Sequence, residues 1–273
     1  MKKIILAFDG THFSEGAFEF ARQLNKISPI LLTGVFLPQS EIAVLWGYAD
    51  APVGPLIPVM DSENSMLVRE NITRFEDLCR QHGIKHRVHK DFHDFVLPEL
   101  KRESTFADLI ILGTEVFYEN IAIRDSDVYM QEALHDVACP VILVPEKFDF
   151  PKNIILAYDG KKDSIFAIKQ FAYLFPELCK LPTTLVYAGK EGEEDIPHGE
   201  MMVELAGMYF SHLTINKLNM KPRKHFATWM LEKEACLLVA GSFGRSGLSQ
   251  ALKESFVKEI ISDHKLPVFV AHQ

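Results

Sequence analysis

Lys152-Asn153-Ile154-Ile155-Leu156-Ala157-Tyr158-Asp159-Gly160 repeats Lys2-Lys3-Ile4-Ile5-Leu6-Ala7-Phe8-Asp9-Gly10 from the start of the same chain, with seven of the nine positions identical. Ser14 and Ala17 recur at the same offset as Ser164 and Ala167. Further on, Leu109-Ile110-Ile111-Leu112-Gly113 matches Leu237-Leu238-Val239-Ala240-Gly241, and Pro140-Val141-Ile142-Leu143-Val144 matches Pro267-Val268-Phe269-Val270-Ala271. The blocks keep their order, as a tandem duplication requires. Pro145-Glu146-Lys147-Phe148-Asp149-Phe150-Pro151 is the joint, with a first domain over 1–147 and a second over 151–273.

Each copy alternates apolar runs of strand length with helical patterns. In the first, strands are expected at 4–8, 30–36, 84–89, 109–112 and 140–144, and helices at 14–24, 63–81, 96–103 and 127–137. Gly83 is placed to end the second of those helices. In the second copy the strands fall at 154–158, 183–188, 213–218, 237–240 and 267–271, and the helices at 163–175, 200–211, 224–234 and 250–262. Strands that read as apolar runs are buried on both faces, and helices between them call for a parallel sheet. The fold class is therefore α/β, with two similar five-stranded parallel-sheet α/β/α domains in tandem. Such sheets bind ligands beyond the carboxyl ends of their strands, where the strand order reverses. Asp9, Gly113, Asp159 and Gly241 are the expected functional rim.

One rim segment stands out. In Leu237 to Leu248, an apolar run breaks into Gly241, Gly244 and Gly247 and feeds a helical pattern. Glycines let backbone amides approach an anion, and a helix start favours negative charge, so a phosphate site is one reading. A tight strand-to-helix turn without a ligand is the other.

The bulk composition narrows the classes. The 273 residues are 48% hydrophobic and 24% charged, ordinary for a globular protein. The formal charge of −8 lies wholly in residues 1–147, which carry 14 Lys+Arg against 22 Asp+Glu; the remainder carries 15 of each. With no basic half or run, sequence-independent nucleic-acid binding is not expected. Asp9 interrupts the first apolar run too early for a secretory signal, and no run reaches the ~18 residues of a membrane helix, so a cytoplasmic protein without a membrane partner is expected. Cys79, Cys139, Cys179 and Cys236 form no CxxC pair and read as buried apolar residues. His82, His86, His89 and His93 mimic metal spacing, but Gly83 breaks the helix and a strand puts His86 and His89 on opposite faces. They read as exposed histidines on an edge strand, and no metal site is expected. The segment 37–61, with Ile42-Ala43-Val44-Leu45-Trp46-Gly47-Tyr48 and Pro52, Pro55 and Pro58, is apolar enough to pack on its own domain or a partner.

With the repeat and the glycine turn in view, nearly the whole chain resembles the universal stress protein family in its tandem two-domain form. The resemblance implies a Rossmann-like, adenine-nucleotide α-hydrolase-like domain in each half. In ATP-binding members the loop reads Gly, two residues, Gly, nine residues, Gly, then Ser or Thr. Gly241, Gly244 and Ser255 match, whereas Glu254 stands where the family has glycine. By that resemblance, amides after Gly241 and Gly244 and the Ser255 hydroxyl hold phosphates, Asp159 accepts hydrogen bonds from adenosine, Val186 packs near the adenine, and Arg245 adds a cation. Glu254 places a carboxylate near the phosphates; at ~4 Å that repulsion is of order several kcal/mol before screening, which a bridging Mg²⁺ or an outward rotamer would relieve. In the first half, Gly113 is followed by Thr114, Glu115 and Val116, so the nucleotide loop is degenerate there. The family forms dimers through its closing strands, so the halves are expected to pair as an intramolecular pseudo-dimer, open to further homodimerisation.

No Gly-Lys-Ser/Thr closes the turn, the dinucleotide GxGxxG spacing is absent, and there is no GxSxG elbow. No catalytic residue is assigned. The expected function is a stress-response sensor or regulator that binds ATP or another adenine nucleotide in its second domain without efficient turnover, slow ATP hydrolysis staying open. The alternative is a degenerate scaffold that binds no nucleotide and acts through protein contacts.

Overall fold

A computed structural model describes residues 1–8, 12–37, 62–89, 96–114, 137–188, 195–218, 235–241 and 266–271. The helices expected at 127–137, 224–234 and 250–262 lie wholly or almost wholly outside the described residues, as do residues 38–61.

The first half runs β1 (Lys2–Phe8), α1 (Glu15–Ile27), β2 (Ile30–Phe36), α2 (Ser62–Gln81), β3 (Lys85–His89), α3 (Val96–Ser104), β4 (Leu109–Gly113) and β5 (Val141–Val144). The second runs β6 (Asn153–Tyr158), α4 (Lys162–Leu174), β7 (Pro182–Ala188), α5 (Gly199–Tyr209), β8 (His212–Leu218), β9 (Cys236–Gly241) and β10 (Val268–Ala271), with a short 3₁₀ turn at Leu178–Lys180. Gly83 ends α2 at φ +65°, where its N–H and that of Ile84 reach the Arg80 and Cys79 carbonyls. A left-handed residue there lets the chain turn back while the last carbonyls of the helix keep donors.

The ten strands of the described residues form one sheet in the order β3-β2-β1-β4-β5-β10-β9-β6-β7-β8. Pairing is parallel within each half. At the seam β5 and β10 run antiparallel, with Phe269 opposite Ile142 and Val270 opposite Val141. The strand ends of the two halves therefore point in opposite directions at the seam. Both seam strands are buried along their whole length, so an edge that would otherwise be open is covered by the other half of the chain.

The two sheet faces bury separate apolar clusters. Ile4, Leu6 and Phe8 face α1 and α2 with Phe20 and Phe75, and the same face carries α4 and α5 in the second half. Phe171 of α4 meets Phe269 of β10 edge-on at 5.3 Å and Phe210 at 6.4 Å. The opposite face takes Ile5, Ala7, Ile155, Val186 and Leu238, with Leu100 of α3. Alternate residues of one strand thus serve two layers, which is why these strands are apolar throughout.

Candidate functional site

In both halves the order of the strands reverses between the first and fourth: between β1 and β4, and between β6 and β9. Parallel strands end on one rim, so Asp159, just beyond β6, and Gly241, which ends β9, border the same switch point.

Asp159 is exposed and shapes the turn into α4. Its Oδ1 accepts hydrogen bonds from the Lys161 N–H at 3.0 Å and the buried Ser164 hydroxyl at 2.7 Å. Lys161, the helix cap, contributes no side-chain hydrogen bond of its own, so the aspartate supplies the acceptor. Gly160 follows at φ +77°, with Pro197 packed where its side chain would be. Tyr158 donates to the Pro197 carbonyl at 2.7 Å, and burial, with Asp159 nearby, pushes its hydroxyl pKa up.

Gly241 has a close-packing role. A Cβ there would lie 2.6 Å from the Asp163 carbonyl carbon and the Ser164 nitrogen, so the start of α4 rests directly on the end of β9. Val186 is buried at 1% exposure on β7, between Ala157 and Asn216 in register, and belongs to the apolar cluster with Ile155 and Leu238. Gly244, Arg245, Glu254 and Ser255 lie outside the described residues, and so do Asp9 and Glu115. Of the expected second-half site, the structure brings Asp159 and Gly241 to one rim and sets Val186 in the core of the adjoining strand.

The first-half rim contains a residue that the sequence reading passed over. Glu146 Oε2 accepts the Gly16 N–H at 3.0 Å, at the start of α1, and Oε1 lies 3.5 Å from His12 Nε2. Ser14 caps the same helix, its hydroxyl accepting the Ala17 N–H at 3.3 Å. Gly113 here plays the part of Gly241: a Cβ would lie 2.4 Å from Ser14 Oγ. The contact of Glu146 spans 130 residues. A carboxylate two positions past a closing strand is the only local hint of it.

The histidine cluster needs one correction. His86 and His89 do lie on opposite faces of the edge strand β3, but neither is simply exposed. The His86 ring meets Phe75 edge-on at 6.0 Å, and His89 Nδ1 lies 2.6 Å from Glu103 Oε1 of α3. With helices on both faces of this edge strand, His86, Val88 and His89 are half-buried while Lys85 and Arg87 stay exposed. Among the described residues no three His, Cys, Asp or Glu gather as metal ligands, and no helix is long and apolar enough to cross a membrane. All four cysteines are buried and form no disulfide, and burial pushes the thiols of Cys79, Cys139 and Cys179 up to about 12. At that value the thiolate is negligible at neutral pH, which fits a packing role.

No family model matches the chain, and no curated protein does. Among solved structures, a universal stress protein from Archaeoglobus fulgidus DSM 4304 superimposes with a TM-score of 0.71 at 17% identity, covering 100% of this chain and 96% of that one. A universal stress protein in complex with cAMP matches with a TM-score of 0.29 at 18% identity, covering 54% of this chain and 98% of that one. From end to end, the chain has the fold of the Archaeoglobus universal stress protein.

Proposed function

We propose that this protein binds an adenine nucleotide, ATP with or without Mg²⁺, at the second-half rim and acts as a stress-response sensor or regulator without efficient catalysis. The observation that carries the reading is the meeting of Asp159 and Gly241 at the switch point of a parallel sheet, in the half that retains Gly244 and Ser255 in sequence. Among the described residues, both hydrogen bonds accepted by the Asp159 carboxylate use Oδ1, and Oδ2 is the acceptor offered to ligand hydroxyls. Titration calorimetry with ATP, with and without Mg²⁺, tests it: wild type should saturate and Gly244→Asp should lose the signal. A wild type that gives no binding heat refutes the proposal. A phosphate-release assay should read no turnover above buffer.

A second reading, a scaffold acting through protein contacts, draws on the outer surface of the second half. Met201 and Met208 of α5 are 72% and 75% exposed, and Tyr173 of α4 is 54% exposed. The matching helix α2 exposes Met66 as well, and carries Arg80 paired with Glu76 and Asp77. Methionines on an exposed helix suit adaptable protein contacts. Partners that bind wild type and are lost on Met201→Asp with Met208→Asp, while ATP gives no heat, would favour this reading.

A further inference from the structure

We infer that the cleft between the two halves, beside the end of α1, is a binding site for a small amphipathic carboxylate whose hydrocarbon tail lies between the halves and whose head meets Lys2. The cleft has a volume of about 150 Å³, and all of its lining residues are among those described. The first half supplies Ile4 of β1, Leu24 of α1 and Ile30 of β2; the second supplies Phe175 and Leu178, which follow α4. All five side chains are buried. An apolar cavity of that size takes a molecule of the bulk of benzene, which corresponds to a chain of about six carbons. Junctions between domains are also where ligand pockets form preferentially.

The walls are held from both sides. The Phe175 ring packs on Phe171 at 5.4 Å and meets Phe269 edge-on at 6.2 Å. Opposite it, the Ser28 N–H closes α1 on the Leu24 carbonyl at 3.0 Å, and Asn25 Oδ1 accepts the Ile30 N–H at 3.1 Å. The charges select the head group. Lys2 Nζ stands 6.0 Å from the Phe175 ring centroid, and among the described residues its ammonium has no ion-pair partner. Glu177, the carboxylate of the lining, is paired with Lys180 at 2.5 Å. Lys2 is thus the uncompensated charge beside an apolar cleft, and one compact ammonium matches a singly charged head. A short-chain carboxylate satisfies both parts, the tail by leaving water and the head by meeting the ammonium. None of these residues belongs to the second-half rim, so the inference stands or falls separately from nucleotide binding there.

The test uses the full chain with sodium hexanoate as the probe and 1-hexanol and hexylammonium chloride as controls, read from isoleucine methyl signals by NMR. Hexanoate should shift the Ile4, Ile27 and Ile30 signals saturably and leave that of Ile110, on the opposite face of the sheet, in place. Hexanol should bind more weakly, and hexylammonium more weakly still. Lys2→Glu should weaken hexanoate about tenfold and leave hexanol unchanged. Ile27→Trp, which fills the cleft from an exposed position, should abolish binding of both. Lys2 and Ile27 both reach the surface, and the Ile110 signal reports whether each variant keeps its fold. The absence of a saturable shift with hexanoate overturns the inference. So does hexylammonium binding as tightly as hexanoate, an undiminished affinity in folded Lys2→Glu, or binding that survives Ile27→Trp.

Discussion

In the first half α1 begins with a serine cap of its own and a carboxylate borrowed from residue 146; in the second, α4 begins on Asp159, which belongs to the strand just before it. Both helix starts press on a strand-end glycine, Gly113 against the Ser14 side chain and Gly241 against the backbone of Asp163 and Ser164. The shared glycine therefore reports how an α/β turn packs, and its presence in both halves does not by itself mark a phosphate site. Among the described residues, the carboxylate at the first rim is Glu146, delivered by the interdomain joint and largely enclosed, and the one at the second is Asp159, local and open to solvent.

This comparison can be broken most forcefully through the cores. Phe75→Ala removes the ring that meets Phe8, Phe18 and Phe36, and Phe171→Ala the one that meets Phe175, Phe210 and Phe269; each should cost about 3–5 kcal/mol by urea unfolding. Thiol labelling during unfolding should show whether the seam makes the halves one unit. If it does, Cys79 and Cys179 become reactive together in both variants; exposure of only the mutated half would mean that the seam does not couple them.

Next come the strand-end glycines. Gly241→Ala meets backbone and should destabilise by about 1–3 kcal/mol, and no neighbouring substitution should rescue it. Gly113→Ala meets the side chain of Ser14, so Ser14→Gly should recover part of its loss in a double-mutant cycle. Equal, strictly additive losses would remove the distinction. Asp159→Ala, which deletes the acceptor for Lys161 and Ser164, should cost about 1 kcal/mol in thermal melts before any ligand is added. The smallest effect concerns Glu19. Its hydrogen bonds with Arg22 first of all, then with Gln23, hold its carboxyl below the ordinary carboxylate range. A depressed pKa adds stability above the unfolded value, and that contribution is lost as pH falls through the folded one. The pair is half-buried and screened by solvent, so Glu19→Gln should cost roughly 0.2–0.5 kcal/mol at pH 7 and progressively less as the pH falls through the folded pKa, read as the difference between two denaturation series.

Much of this architecture was legible in the chain because it is local. Uninterrupted apolar runs such as Ile154–Tyr158 and Leu237–Ala240 can only be strands buried on both faces, and the repeat places them in the same order twice. Ser14, Gly83 and Asp159 act within a few residues of themselves, which is the range that a sequence pattern encodes. The partners of His89 and of Glu146 were not legible, since Glu103 and Gly16 are brought to them by the packing of helices on the sheet and not by local spacing.

The sequence by itself determined the duplication, the α/β alternation and the convergence of Asp159 with Gly241 on a strand-end rim, because spacing and apolar runs follow from the geometry of single elements. Only the tertiary structure decided the register in which β5 meets β10 and the arrival of Glu146 at α1. Both are contacts between segments more than a hundred residues apart, fixed by which faces and edges remain to be buried once every local element is in place.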